Sequence, residues 1–344
     1  MSRWWTGPAC LILFTAFLAC DGEAQEQLPS LEFLPDTEIV PSLRERVRSQ
    51  PKTLFSETIG GFGISRRSFN GPMDVAHDAE GNYFVLDAGN NRVQKFTERD
   101  RFELTWGSSG SSEGEFSNPR AIIVDHEDFV YVVDSGNHRI QKFDSEGEFL
   151  ASLGSLGAAP GKFNTPIDMT FDSEGNVFVL DAGNARIQKF APNGIFIDEW
   201  GRFSGGRKGD FTRLHSIAWF DERFGFLYLL GEGVEEGSCL VQILSLHKGR
   251  EEVEKSWDVV YPYDNVETCV PTRIEIDNTD DYVYILDHVN NVIRRFHMDG
   301  RYIDSIWEVD EPFNAPMGFT VMEHTRKVWV ADTGSSVVQR FSLR

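Results

Sequence analysis

From residue 69 onward the chain is written in short apolar runs, dominated by Val, Ile, Leu, Phe and Tyr and separated by Gly, Asn and Asp. Tyr83-Phe-Val-Leu-Asp87, Val130-Tyr-Val-Val-Asp134 and Phe178-Val-Leu-Asp181 are typical. Runs this short, rich in β-branched and aromatic residues and bounded by turn formers, predict strands rather than helices. Each is followed by an Asp-x-Gly-Asn turn and a second run, such as Arg92-Val-Gln-Lys-Phe96 or Arg139-Ile-Gln-Lys-Phe143. A further run ends on Trp106-Gly107, Leu153-Gly154 or Trp200-Gly201.

These runs repeat as units. Phe69-Asn-Gly-Pro72, Phe116-Ser-Asn-Pro119 and Phe163-Asn-Thr-Pro166 open three of them, and Pro72 to Pro119 and Pro119 to Pro166 are 47 residues each (119 − 72 and 166 − 119). Three degraded units follow. Leu214 takes the proline position of the fourth, Pro271 opens the fifth, and Phe313-Asn-Ala-Pro316 opens the sixth. Four antiparallel strands in a unit of this length describe a propeller blade, so the chain is expected to be all-β, a six-bladed β-propeller of four-stranded blades. The sixth unit stops at Arg344 after its third strand, while Thr53-Leu-Phe-Ser-Glu-Thr-Ile-Gly60 matches a fourth strand. An N-terminal strand completing the last blade would close the ring and hide two sheet edges. The repeated Phe positions supply ten of the 27 phenylalanines, which assigns much of the aromatic excess to packing between blades.

The run Asp-Ser-Gly-Asn-His-Arg-Ile-Gln-Lys-Phe at 134–143, with the Phe-Asn-x-Pro openings, resembles the core of NHL repeats. The resemblance covers residues 53–344 and is weakest in unit four. It implies a six-bladed propeller and no single activity. Propellers of this family serve as protein-binding platforms, some bind RNA, and a related lyase cleaves peptidyl-hydroxyglycine with a zinc ion in the central channel. In those lyases zinc-binding histidines directly follow the repeat proline. Here that position holds Met73, Arg120, Ile167, His215, Thr272 and Met317, so a single histidine stands where three nitrogens are needed. The recurring Asp87, Asp134, Asp181, Asp287 and Asp332 read as turn-fixing residues, with Arg92, Arg139 and Arg186 as their partners. No Glu/Asn/Asp set for a calcium-dependent lactonase stands out, nor does a nucleophile elbow or a phosphate loop. No metal or cofactor is expected.

Before the repeats, Arg3 precedes an apolar run from Ala9 to Ala19 that is too short to span a bilayer, which takes ~20 residues. It reads as a secretory signal over 1–20, and Phe17-Leu18-Ala19-Cys20 resembles a bacterial lipobox with Cys20 as the lipidated residue. A plain signal cleaved near Ala24 is the alternative. Residues 21–50, with three prolines and seven acids, read as a flexible spacer before a propeller over 51–344. The expected location is the cell envelope, with membrane contact only through the lipid anchor.

Composition then narrows the partners. With 33 Lys+Arg against 54 Asp+Glu the formal charge is −21, and residues 51–344 carry 29 basic against 47 acidic residues, or −18. Nucleic-acid binding rests on clustered cations neutralising phosphates, so it is excluded. Departures from the repeat mark the candidate site on the face where the proline-side loops emerge: Met73, Arg120, His215, Arg273 and Met317 near the channel, with Tyr261-Pro-Tyr263 and the acidic turn Glu232–Glu236 at the rim. Such a mouth suits a small anionic ligand or a protein partner. Cys239 and Cys269 fall at the junction of units four and five, and in an oxidising compartment a disulfide is expected, two buried thiols being the alternative. The function expected is a non-catalytic binding platform; a lyase-like or lactonase-like enzyme with its site near His215 is the alternative.

Overall fold

The computed structural model describes residues 54–201, 211–220, 225–233, 238–245, 252–259, 269–306, 312–322 and 325–343. The signal segment, Cys20, the spacer, Tyr261-Pro-Tyr263 and residues 234–236 lie outside the described residues.

Six four-stranded antiparallel sheets form the blades, and the innermost strands touch in a closed cycle. Blade 1 runs Pro72–His77, Tyr83–Asp87, Arg92–Phe96 and Phe102–Trp106, from the channel outward. Blades 2 and 3 repeat it from Ala121–Val124 and Pro166–Phe171, blade 4 from Phe211–Phe220, and blade 5 from Pro271–Asp277. Blade 6 consists of Gly318–Met322, Lys327–Asp332 and Val337–Ser342, with Leu54–Gly60 as its outermost strand. That strand pairs antiparallel with Val337–Ser342, Ile59 opposite Val338, and Ile59 is buried. The protein is therefore a six-bladed β-propeller closed by its N-terminal strand.

The repeated residues build the repeated geometry. Phe69, Phe96, Phe116, Phe143, Phe163 and Phe190 are all fully buried, and six apolar clusters fill the six junctions between neighbouring blades. Gly107 and Gly154 adopt φ of +96° and +94°, and a Cβ on them would stand 2.4 Å from the Phe116 ring and 2.3 Å from the Phe163 ring. The Trp-Gly and Leu-Gly endings are thus imposed by the next unit's phenylalanine packing onto bare backbone.

The buried repeat carboxylates are consumed locally. Asp87 accepts from Asn70 N–H at 2.7 Å, Asn90 Nδ2 at 2.8 Å and Arg92 Nε at 2.7 Å. Arg139 and Arg186 hold Asp134 and Asp181 in the same way, each at 2.8 Å. Their remaining guanidinium hydrogens go to loop carbonyls, such as Ser68 O from Arg92 and Lys162 O from Arg186. A buried carboxylate is tolerated because charge-assisted bonds replace its water. In blade 5, Val292 sits where the arginine belongs and Arg294 pairs with Asp287 at 3.6 Å from the following inward position.

Candidate functional site at the channel mouth

Each innermost strand has an outer neighbour on one side only, so its other edge faces the channel with unpaired backbone groups. The sequence answers this at its first two positions. In blade 1 Pro72 lies opposite Asp87 and Asp74 opposite Leu86, leaving Met73 as the extra residue of a bulge. Blades 3, 4 and 5 are bulged identically at Ile167, His215 and Thr272. In blades 2 and 6, Arg120 and Met317 donate their N–H to Val133 O and Ala331 O, which also face Ala121 and Gly318. A bulge re-aims one side chain, and here it turns five of the six residues after the repeat proline toward the mouth.

The next residue of each strand points along the channel and takes up the exposed edge. Asp74 Oδ2 accepts from Ile122 N–H at 3.0 Å, and Asp168 Oδ2 accepts from Ile217 N–H at 2.9 Å and from Ser216 Oγ at 2.6 Å. Ser216 Oγ in turn accepts from Ile274 N–H at 3.2 Å. Arg273 crosses from blade 5, with Nη1 at 2.5 Å from Asp168 and 3.6 Å from Asp74, and its guanidinium also bonds Glu275 at 3.1 Å. Blades 1, 3 and 5 are thereby tied through the centre of the ring. Burial pushes Asp74 up to about 6, opposed by the Arg273 charge. Burial likewise carries Glu275 up to about 7. For Arg273 burial works against the cation, but Asp168 and Asp74 outweigh it and hold its pKa above the ordinary arginine value.

Above this plug lies a cavity of about 750 Å³. Ile167, Leu180, Leu214, Val270 and Met317 give it apolar walls, and Asn118, Thr165, Thr212 and Thr272 add neutral polar groups. Its charged or titratable lining residues are Arg120, Arg213, His215 and His288, with no carboxylate among the described residues that line it. His215 Nε2 bonds Glu232 Oε1 at 2.9 Å, and His288 Nδ1 donates to Pro316 O at 3.3 Å. Burial lowers the His215 pKa, Glu232 opposes this, and Arg213 and Arg120 add to it. Arg120 is half-buried with no hydrogen-bond or ion-pair partner for its guanidinium among the described residues; burial and then the Arg213 charge depress its pKa.

Of the residues singled out from the sequence, Arg120, His215 and Met317 meet in this cavity. Two are placed elsewhere. Met73 packs against the apolar cluster between blades 1 and 2 and is absent from the lining. Arg273 lies in the plug beneath, because its strand position points along the channel and not to the mouth. Cys239 and Cys269 are joined by a buried disulfide, Cα–Cα 5.8 Å, at the junction of blades 4 and 5. Arg213 and His288 were not marked by the repeat. Arg213 precedes the proline position, on an inner strand that blade 4 extends to Phe211. Its sequence signal was a charged residue directly before the proline position, where Gly71, Asn118 and Thr165 stand in blades 1 to 3. His288 follows the repeat Asp, where Ala or Ser stands in blades 1 to 3, so it was legible as a departure.

A channel metal was tested against these donors. Among the described residues no three His, Cys, Asp or Glu side chains are arranged to hold a metal ion. The mouth offers two imidazoles, His215 and His288, beside two guanidiniums and one thioether, and the carboxylates of the channel are already gathered on Arg273. The described residues do not fit a metal.

The NHL repeat model matches residues 116–143 and 163–190. No curated protein sequence matches the chain. Among solved structures, a streptogramin B lyase is similar at TM-score 0.55 and 15% identity, covering 84% of this chain and 87% of that one. A gluconolactonase of Xanthomonas campestris is similar at TM-score 0.59 and 13% identity, covering 80% and 87%. The hydrazine synthase of Kuenenia stuttgartiensis is similar at TM-score 0.57 and 11% identity, covering 82% and 98%. At such identities the likeness is one of fold, and the fold is shared by unrelated chemistries.

Proposed function

Given that the chain is an NHL-repeat six-bladed propeller, we propose that it is a non-catalytic binding protein that engages a ligand or protein partner through its channel mouth. The observation that carries this reading is the pair Arg120 and Arg213, set in a cavity with apolar walls and no lining carboxylate among the described residues. In a protein with 54 acids against 33 basic residues, two arginines with no acidic partner among the described residues of a concave site favour an anionic group. The Asp74–Arg273–Asp168 contacts occupy the channel axis, which suits a terminal group or small ligand better than a threaded chain. The lipobox-like segment ending at Cys20 supports presentation of the ring on a lipid anchor at the cell envelope.

A second reading is favoured by one contact. His215, its pKa lowered by burial, has the Glu232 carboxylate behind it, an arrangement able to move a proton. Affinity capture from detergent-solubilised envelope separates the readings. Binding predicts partners recovered by the wild type and lost by Arg120→Ala/His215→Ala. Equal recovery of every partner removes the mouth from the hypothesis, and stoichiometric metal in the purified protein with turnover of a lactone or an acyl substrate transfers the weight to an enzyme.

A further inference from the structure

We propose that the mouth cavity binds a small amphipathic organic anion, a single carboxylate or phosphate group carried on an apolar body. This rests on the binding-protein reading above and names its ligand class. The charge requirement comes from Arg120 and Arg213. Their guanidiniums stand near enough to repel, and neither has an anionic partner among the described residues. An oxyanion between them supplies the missing counter-charge through planar, forked donors suited to carboxylate and phosphate.

The body requirement comes from the walls. The part-exposed Ile167, Val270 and Met317, backed by the buried Leu180 and Leu214, present apolar surface that only an apolar group covers without losing hydrogen bonds. The size requirement comes from the cavity itself, whose volume of about 750 Å³ lies in the range of small-molecule sites, which run to roughly 1,000 Å³. The imidazoles are committed elsewhere: His215 has its Nε2 on Glu232 and its pKa lowered by burial, and His288 gives its Nδ1 hydrogen to Pro316 O. One oxyanion, held by two arginines, is the recognised group.

The test uses the full exported domain and five probes in titration calorimetry: octanoate, octyl phosphate, octanol, octylammonium and acetate. Saturable one-to-one binding of octanoate or octyl phosphate, with octanol, octylammonium and acetate at least about tenfold weaker, is the expected result. Preference between the two anions identifies the headgroup. Arg213→Glu, at an exposed rim position, and Arg120→Met should each weaken the preferred anion by about tenfold or more while the far-ultraviolet spectrum is unchanged. Octanol binding as tightly as octanoate overturns the proposal, because apolar surface alone would then suffice. Anion binding retained by Arg213→Glu overturns it as well. If no probe binds but partner capture still depends on Arg120, the ligand class is wrong and the binding-protein reading stands; if neither depends on Arg120, both fail.

Discussion

Replacing Asp74 by Asn should change the sign of its effect on stability with pH. Asp74 is 2% exposed, accepts N–H groups from Val75 and Ile122, and shares Arg273 with Asp168 and Glu275. One guanidinium faces three carboxylates, and burial lifts Asp74 from 3.8 to about 6 against the attraction of Arg273. A carboxyl whose folded pKa is raised binds its proton more tightly in the native state. Its contribution is therefore intact at or below the unfolded value and is lost as pH rises from about 4 through 6. At ~1.4 kcal/mol per pKa unit, the wild type loses ~2–3 kcal/mol from this group between pH 4 and pH 8.

Asparagine imitates the protonated acid but offers one acceptor where two backbone donors converge, a fixed cost of ~1 kcal/mol. Asp74→Asn is thus expected to be less stable than wild type at pH 4 and more stable, by ~1–2 kcal/mol, at pH 8. Urea unfolding at pH 4, 5, 6, 7 and 8, compared as wild type minus variant, cancels every other titrating group, provided m is unchanged. Equal destabilisation at all five pH values would refute the reasoning, since it would make Asp74 a simple hydrogen-bond acceptor. Glu275 should behave with the same sign, but its side chain keeps 26% of its exposure, so the quantitative case rests on Asp74.

Three further outcomes follow from the scaffold. Reducing the Cys239–Cys269 disulfide, which closes a separation of 30 residues, should lower unfolding stability by ~3–4 kcal/mol in the chain-entropy model; an unchanged urea midpoint in reductant counts against it. Gly154→Ala should cost ~2–4 kcal/mol from backbone strain plus overlap with Phe163. Gly114→Ala, at φ +76° with no atom within 4 Å of the added Cβ, should cost only the strain, and equal losses for the two would remove the Phe163 contact from the account. Removing Leu54–Gly60 uncovers the Val337–Ser342 edge and deletes the buried Ile59. The truncated ring should melt earlier and self-associate with concentration in light scattering, and a monomer that melts like the full domain would contradict the closure.

What was legible in the sequence was whatever the ring repeats. The Pro72-to-Pro166 spacing gave the blade count, and the missing sixth outer strand gave the closure. The paired Asp and Arg of the first three units gave their own ion pairs, because identical local sequence is placed in identical surroundings. Where Arg273 points was not legible, because spacing alone cannot show a bulge. One extra residue at the start of each inner strand decides whether a side chain reaches the mouth or the channel, and Pro72 opposite Asp87 with Asp74 opposite Leu86 appears only in the pairing register. Arg213 was missed for a related reason. It takes the position before the repeat proline, on an inner strand that blade 4 extends back to Phe211.

The channel shows why departures from a repeat must be read around the ring rather than along the chain. Its second positions are Asp74, Ala121, Asp168, Ser216, Arg273 and Gly318, a set with no pattern in sequence order. Across the axis it becomes coherent: Arg273 answers Asp168 and Asp74, Ser216 bridges Asp168 to the Ile274 amide, and Gly318 leaves room for Asp74, whose Oδ1 would lie 2.3 Å from a Cβ there. The residues are long and charged in three blades and small in the other three, because six side chains compete for one axis. That competition fills the channel with the protein's own charges. The free arginines are left one layer higher, at the mouth, where nothing from the ring among the described residues neutralises them.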